Sequence, residues 1–132
     1  MKAPAELTKN QALVLDALSH AEGPLSAYTI LDRLRDDGFR APLQVYRALE
    51  KLQELGLVHR LESINAFVAC AHPHDHHQEL IAFAICENCG KVDEFSDEMV
   101  EERLGRWAKA HDFRPSKTTI EIRGACRTCS SA

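Results

Sequence analysis

Over the first sixty positions apolar residues recur at three- and four-residue intervals, and each run is bounded by residues that start or stop helices. Thr8 followed by Gln11 has capping-box spacing, and Val14, Leu15 and Leu18 then recur at helical intervals until Gly23-Pro24 ends the run. Ser26 caps a second predicted helix, which turns Ile30, Leu31 and Leu34 inward and stops at Asp37-Gly38. Pro42 suits the first turn of a third, where Val45, Ala48, Leu49 and Leu52 form an i, i+3, i+4, i+7 stripe ending at Gly56. The other side of this third helix carries Gln44, Arg47 and Lys51, aligned so that they can meet something other than the core. Two short apolar-rich runs, 57–61 and 66–70, flank Glu62-Ser63-Ile64-Asn65 and predict a β-hairpin. Three helices followed by a hairpin predict a winged helix-turn-helix.

Segment 71–78, AHPHDHHQ, breaks every periodicity and reads as a hinge. Beyond it, strands are predicted at 80–85 and 91–95 around the turn from Cys86 to Gly90, and a third at 118–123 alternates with Ile120 and Ile122 on one face. Between them lies a helix capped by Ser96. Asp97, Glu98, Glu101 and Glu102 load its start and Arg103, Arg106, Lys109 and His111 its end, as the helix dipole favours. Val100, Leu104, Trp107 and Ala108 supply its apolar face. The fold class predicted is α+β: a winged helix over 1–70, a histidine-rich hinge over 71–78, and a small α/β unit over 79–132. So small a second unit has too little core to be stable alone, which predicts a metal staple and a partner subunit.

Composition adds the chemistry. The 132 residues are 45% hydrophobic and 27% charged, as in a soluble globular protein, and no apolar run approaches the roughly 20 residues a membrane span needs. The first ten residues lack the basic and apolar regions of a signal peptide, so a cytoplasmic location with reduced thiols is expected. Five cysteines and seven histidines in such a compartment point to metal before disulfide. The formal net charge is −4, and residues 1–62 hold eight Lys+Arg against nine Asp+Glu, so any contact with DNA has to come from a local patch.

Cys86-x-x-Cys89 with Cys126-x-x-Cys129 is the strongest signal. Each two-residue spacer lets both thiolates reach one tetrahedral ion, and four thiolates leave no open position, which makes the site structural. The competing reading is a pair of redox dithiols or disulfides. Cys70 ends the hairpin, and His59 on the facing strand can approach it across the pair to share a second ion, whereas Cys70 alone reads equally well as a small buried hydrophobe. His72, His74, His76 and His77 offer more ligands than one site needs, and a solvated polar loop is the alternative for them.

Val45-Tyr46-Arg47-Ala48-Leu49, then Leu57-Val58-His59-Arg60, the histidine-rich loop, Cys-x-x-Cys-Gly and a closing Cys-x-x-Cys together resemble the ferric uptake regulator family over nearly the whole chain. Ser26-Ala27-Tyr28, with His59 and Cys70 flanking the wing, resemble its zinc-sensing branch in particular. The resemblance implies a cytoplasmic homodimer paired through its second units, which binds operator DNA when loaded with metal and represses zinc-uptake genes. It also implies about two zinc ions per subunit, no enzymatic activity, no small-molecule substrate and no membrane association. By position, His59, Cys70 and Glu94 match the family's sensing ligands, with His77 as the fourth and His76, His74 and His72 as alternates. A thiolate in that set favours zinc over iron or manganese.

Tyr46 and Arg47 occupy the family's recognition-helix positions. Arg47 then suits a guanine edge or a phosphate, Tyr46 a thymine methyl or the backbone, and Gln44 an adenine; Tyr28, Lys51 and Arg40 add backbone or nonspecific contacts. A solvated helix face is the alternative for all of these. The chain departs from the family in having only about seven residues before the first helix, and in placing Thr118 where a second regulatory site commonly has a histidine, although Glu101 matches that site's carboxylate. The rival functions are an iron, manganese or peroxide sensor of the same family, a zinc buffer that never binds DNA, and a metalloenzyme using Glu94 as general base beside an open zinc position.

Overall fold

Thr8 and Gln11 form the reciprocal cap that their spacing predicts: the Thr8 hydroxyl accepts from the Gln11 N–H at 3.2 Å, and the Gln11 side chain accepts from the Thr8 N–H at 3.0 Å. They start α1 (Lys9–Ser19), the first element of a computed structural model that describes residues 6–71 and 80–130. Ser26 Oγ accepts from the Thr29 N–H and starts α2 (Ala27–Arg33), which a short 3₁₀ turn (Arg35–Asp37) carries to Gly38 at φ 103°. Helix α3 (Pro42–Glu54) buries Val45, Ala48, Leu49 and Leu52, the four positions of the predicted stripe. These pack with Val14 and Leu18 of α1, Ile30 and Leu31 of α2, and Val58 and Phe67 of the hairpin into one core. Phe39 also enters this core, from the short irregular segment before α3 rather than from a helix, so no periodicity marks it.

The hairpin pairs β1 (Val58–Leu61) antiparallel with β2 (Ala66–Ala69), and Asn65 at φ 50° closes the turn. Leu25 adds a one-residue bridge to Phe67, with N–H···O distances of 3.0 and 2.8 Å in the two directions, which ties the wing to the loop before α2. Helix-turn-helix plus wing is complete in these elements, and the mixed α+β class is as expected.

The chain divides into two compact units, Met1–Pro73 and His74–Ala132. In the second, β3 (Leu80–Cys86) is the centre of a three-stranded sheet, antiparallel to β4 (Val92–Phe95) and parallel to β5 (Thr118–Gly124). Strand β4 returns the chain to the end where β3 began, and helix α4 (Glu98–Ala110) then carries it from one edge of the sheet to the other, where β5 starts; α5 (Arg127–Ser130) is a single turn, too short for a periodicity to announce. The cap of α4 is Asp97, not Ser96: its carboxylate accepts from the N–H groups of Met99 at 2.9 Å and Val100 at 3.1 Å. A charge-assisted acceptor at the positive end of a helix is the stronger of two adjacent candidates. On the apolar face predicted for α4 only Ala108 is buried, while Val100, Leu104 and Trp107 stay 40%, 41% and 55% exposed. A three-stranded sheet of this size cannot cover them. No helix among the described residues is long and apolar enough to cross a membrane.

Candidate metal centre and nucleic-acid interface

The first knuckle is the β3–β4 turn. Cys86 ends β3, its N–H donating to Lys91 O at 2.9 Å, and Gly90 takes φ 83° so that its own N–H returns to Cys86 O at 3.0 Å. The second knuckle is α5, where the Ser130 N–H donates to Cys126 O at 2.8 Å. Parallel pairing of β3 with β5 sets Cys86 opposite Gly124, and so carries both knuckles to one end of the sheet. The Sγ atoms of Cys86, Cys89, Cys126 and Cys129 all lie within 4.8 Å of one another, with Cys89 and Cys126 3.7 Å apart. A Zn–S bond of about 2.3 Å in a tetrahedron requires sulfurs about 3.8 Å apart, so the donor set fits zinc.

Backbone hydrogen bonds in this cluster favour the thiolate at Cys86 and Cys126. Cys86 Sγ accepts from the N–H groups of Cys89 at 3.4 Å and Cys126 at 3.3 Å, and these hydrogen bonds hold its pKa down to about 6 despite burial. Cys126 is lowered too, first by the Cys129 N–H. Cys129 goes the other way, to about 11: the Asn88 side chain favours its thiolate, but crowding by Cys126 and Cys86 and burial outweigh that. Four sulfurs this close cannot all carry charge without a cation among them, and a divalent ion relieves that repulsion. Asn88 escapes sequence reading, since nothing in the spacing of the cysteines assigns it a part.

In the first unit, His59 sits on β1 opposite Val68 and Cys70 follows β2, its N–H donating to Leu57 O at 2.8 Å. Two residues beyond Val68, Cys70 is the diagonal, same-face neighbour of His59, and their ligand atoms lie within 4.8 Å. His59, only 7% exposed, is the buried polar or charged side chain among the described residues of this unit. Glu94 belongs to the second unit, half-buried on β4 opposite Phe83. Glu101 is half-buried on α4, and Thr118 opens β5 opposite Leu80. His72, His74, His76 and His77 lie outside the described residues.

On the candidate DNA side, Tyr28 is 63% and Tyr46 40% exposed, and Arg40, Arg47 and Lys51 are exposed with them, Lys51 lying 3.7 Å from Glu54. Gln44 has a different occupation. Its Oε1 accepts from the N–H groups of Arg40 at 2.7 Å and Ala41 at 3.0 Å, capping α3, so a two-point contact with adenine would forfeit the cap. Arg60, which the sequence marks only as part of a motif, donates from Nη2 to Asn65 Oδ1 at 3.0 Å while its guanidinium lies 6.0 Å from the Phe67 ring centroid. The register pairing of Arg60 with Phe67 puts that cation on the wing face shared with the core.

A winged helix followed by a thiol-stapled α/β unit is the build of a metal-binding transcription regulator. The chain belongs to the ferric uptake regulator family, whose model matches residues 2–123. It is 40% identical over 124 residues to the zinc uptake regulation protein of Escherichia coli K12, covering 93% of this chain and 72% of that one. The ferric uptake regulation protein of the same strain is 32% identical over 129 residues, 95% of this chain and 84% of that one. Among solved structures, holo XcZur superposes with a TM-score of 0.86 at 42% identity, over 96% of this chain and 88% of that chain. A zinc uptake regulator complexed with zinc and DNA superposes at 0.89 and 37%, over 96% and 84%.

Proposed function

We propose that this chain is a zinc-responsive transcriptional repressor, acting in the cytoplasm as a homodimer that binds operator DNA when zinc-loaded and represses zinc-uptake genes. The observation that carries the reading is the 0.89 superposition on a regulator complexed with zinc and DNA. Residues 1–70 are the DNA-binding part, 71–78 the hinge and 79–132 the dimerisation part. Cys86, Cys89, Cys126 and Cys129 hold a structural zinc. His59 and Cys70, with Glu94 and His77, hold the sensing zinc; His76, His74 and His72 are the alternates for the loop ligand. Zinc supplies a tetrahedral anchor without redox chemistry.

Because His59 and Cys70 lie in the first unit and Glu94 in the second, ligating all of them ties the two units into one arrangement. Binding of a two-fold operator depends on half-site spacing, so an arrangement that only the loaded protein holds supplies the differential affinity a switch needs. Arg47 and Tyr46 then reach the major groove, Tyr28 and Lys51 contact the backbone, and Gln44 keeps the helix start in place. The test is a DNA-binding titration in buffered metal. Zinc at a low free concentration is expected to induce operator binding; activation by iron(II) or manganese(II) at physiological levels, with zinc inert, would overturn the zinc assignment.

A further inference from the structure

The buried stripe of α3 consists of Val45, Ala48, Leu49 and Leu52, and Leu43 is not part of it. Leu43 is 56% exposed in the first turn of the helix. Tyr46 and Arg47 follow it by three and four residues, so the three side chains share one face. A single exposed leucine is ordinary on a protein surface. In the chain this one falls between the exposed cations Arg40 and Arg47, at the N-terminal end of the helix whose counterparts meet base edges in helix-turn-helix proteins. Its neighbour Gln44 is held by two backbone N–H groups, which makes the first turn rigid and removes the nearest polar reader. The apolar feature that a major groove presents is the thymine C5-methyl group.

We propose that Leu43 is a specificity-determining residue that packs its side-chain methyls on the C5-methyl of one thymine in each operator half-site. The inference rests on the operator-binding reading above. Flanking positive charge brings the phosphate backbone to this face and so favours a duplex over an apolar protein partner.

The experiment uses the full-length zinc-loaded protein and a duplex that it enriches from a randomised pool. Each thymine of one half-site is replaced in turn by deoxyuridine, which deletes only the methyl group. At one position the replacement is expected to weaken wild-type binding about three- to fivefold, the size of one buried methyl. Leu43→Ala is expected to bind the thymine duplex more weakly by a similar factor and to be indifferent to deoxyuridine at that position, the signature of a direct contact in a double-mutant cycle. Tyr46→Phe is expected to keep the deoxyuridine effect there. Alanine is a strong helix former at an exposed site, so the variant should keep the wild-type circular dichroism spectrum. Wild-type affinity of Leu43→Ala for the thymine duplex, or a deoxyuridine loss that persists in it, would overturn the proposal while leaving operator binding intact. If no duplex is enriched in a zinc-dependent way, the operator-binding reading itself fails.

Discussion

Cys70 is the residue on which the metal assignment turns. The four-cysteine cluster fits zinc whatever the protein senses, whereas a thiolate beside His59 would select against the harder metals at the sensing position proposed for this pair. Cys70→Ser is therefore expected to abolish zinc-induced DNA binding while one zinc per subunit stays bound, as read by metal analysis of the purified variant. Arg47 and Lys51 are expected to part company in the same way. Arg47→Ala should alter the ranking of operator variants, whereas Lys51→Ala should weaken all sequences alike and lower the slope of log affinity against log salt by about one. If both changes only lowered affinity uniformly, the base-reading role of Arg47 would be wrong. Both residues were legible as an exposed face opposite the stripe. The capping duty of Gln44 was not, because a glutamine two residues after Pro42 has the same spacing whether it reaches solvent or turns back onto the Arg40 and Ala41 N–H groups.

At the scale of elements, the helices and strands follow from local pattern, and the differences lie where two local choices compete. Ser96 and Asp97 are both good caps in sequence. The carboxylate holds the position, so Asp97→Ala should destabilise the second unit by about 1 kcal/mol, measured by thermal unfolding of the metal-loaded protein. Phe39 and α5 were illegible for a simpler reason: a buried residue in an irregular segment and a single helical turn have no period to read. The apolar face of α4 was legible as apolar, but apolarity does not say what covers it. Leu104, Val100 and Trp107 remain exposed in the isolated chain.

That exposure becomes a prediction at the scale of the whole molecule. If a second copy covers α4, Leu104→Glu should shift the protein to monomers in analytical ultracentrifugation and lower operator affinity; a dimer of unchanged stability would place the interface elsewhere. The second unit should also depend on its metal more than the first. Removing the four-cysteine zinc with a strong chelator is expected to unfold β3, β5 and α5 together, since the two knuckles join their ends, while the core of Val14, Ile30, Leu49 and Phe67 persists. Hydrogen exchange on the stripped protein distinguishes the two units.

Local sequence determined the three helices of the first unit, the caps of α1 and α2, the hairpin, the sequence spacing of each cysteine pair and the cationic helix face, because each rests on periodicity or on contacts within four residues. Tertiary structure decided what spans the chain. It brought Cys86 and Cys126 together across forty residues by the parallel pairing of β3 with β5, and it made Cys70 the diagonal neighbour of His59 by hairpin register. It also left Leu43 outside the core that took every other apolar residue in the first eight positions of α3 except Tyr46. Strand partners and the limits of a core are settled by long-range packing, for which a local pattern carries no term.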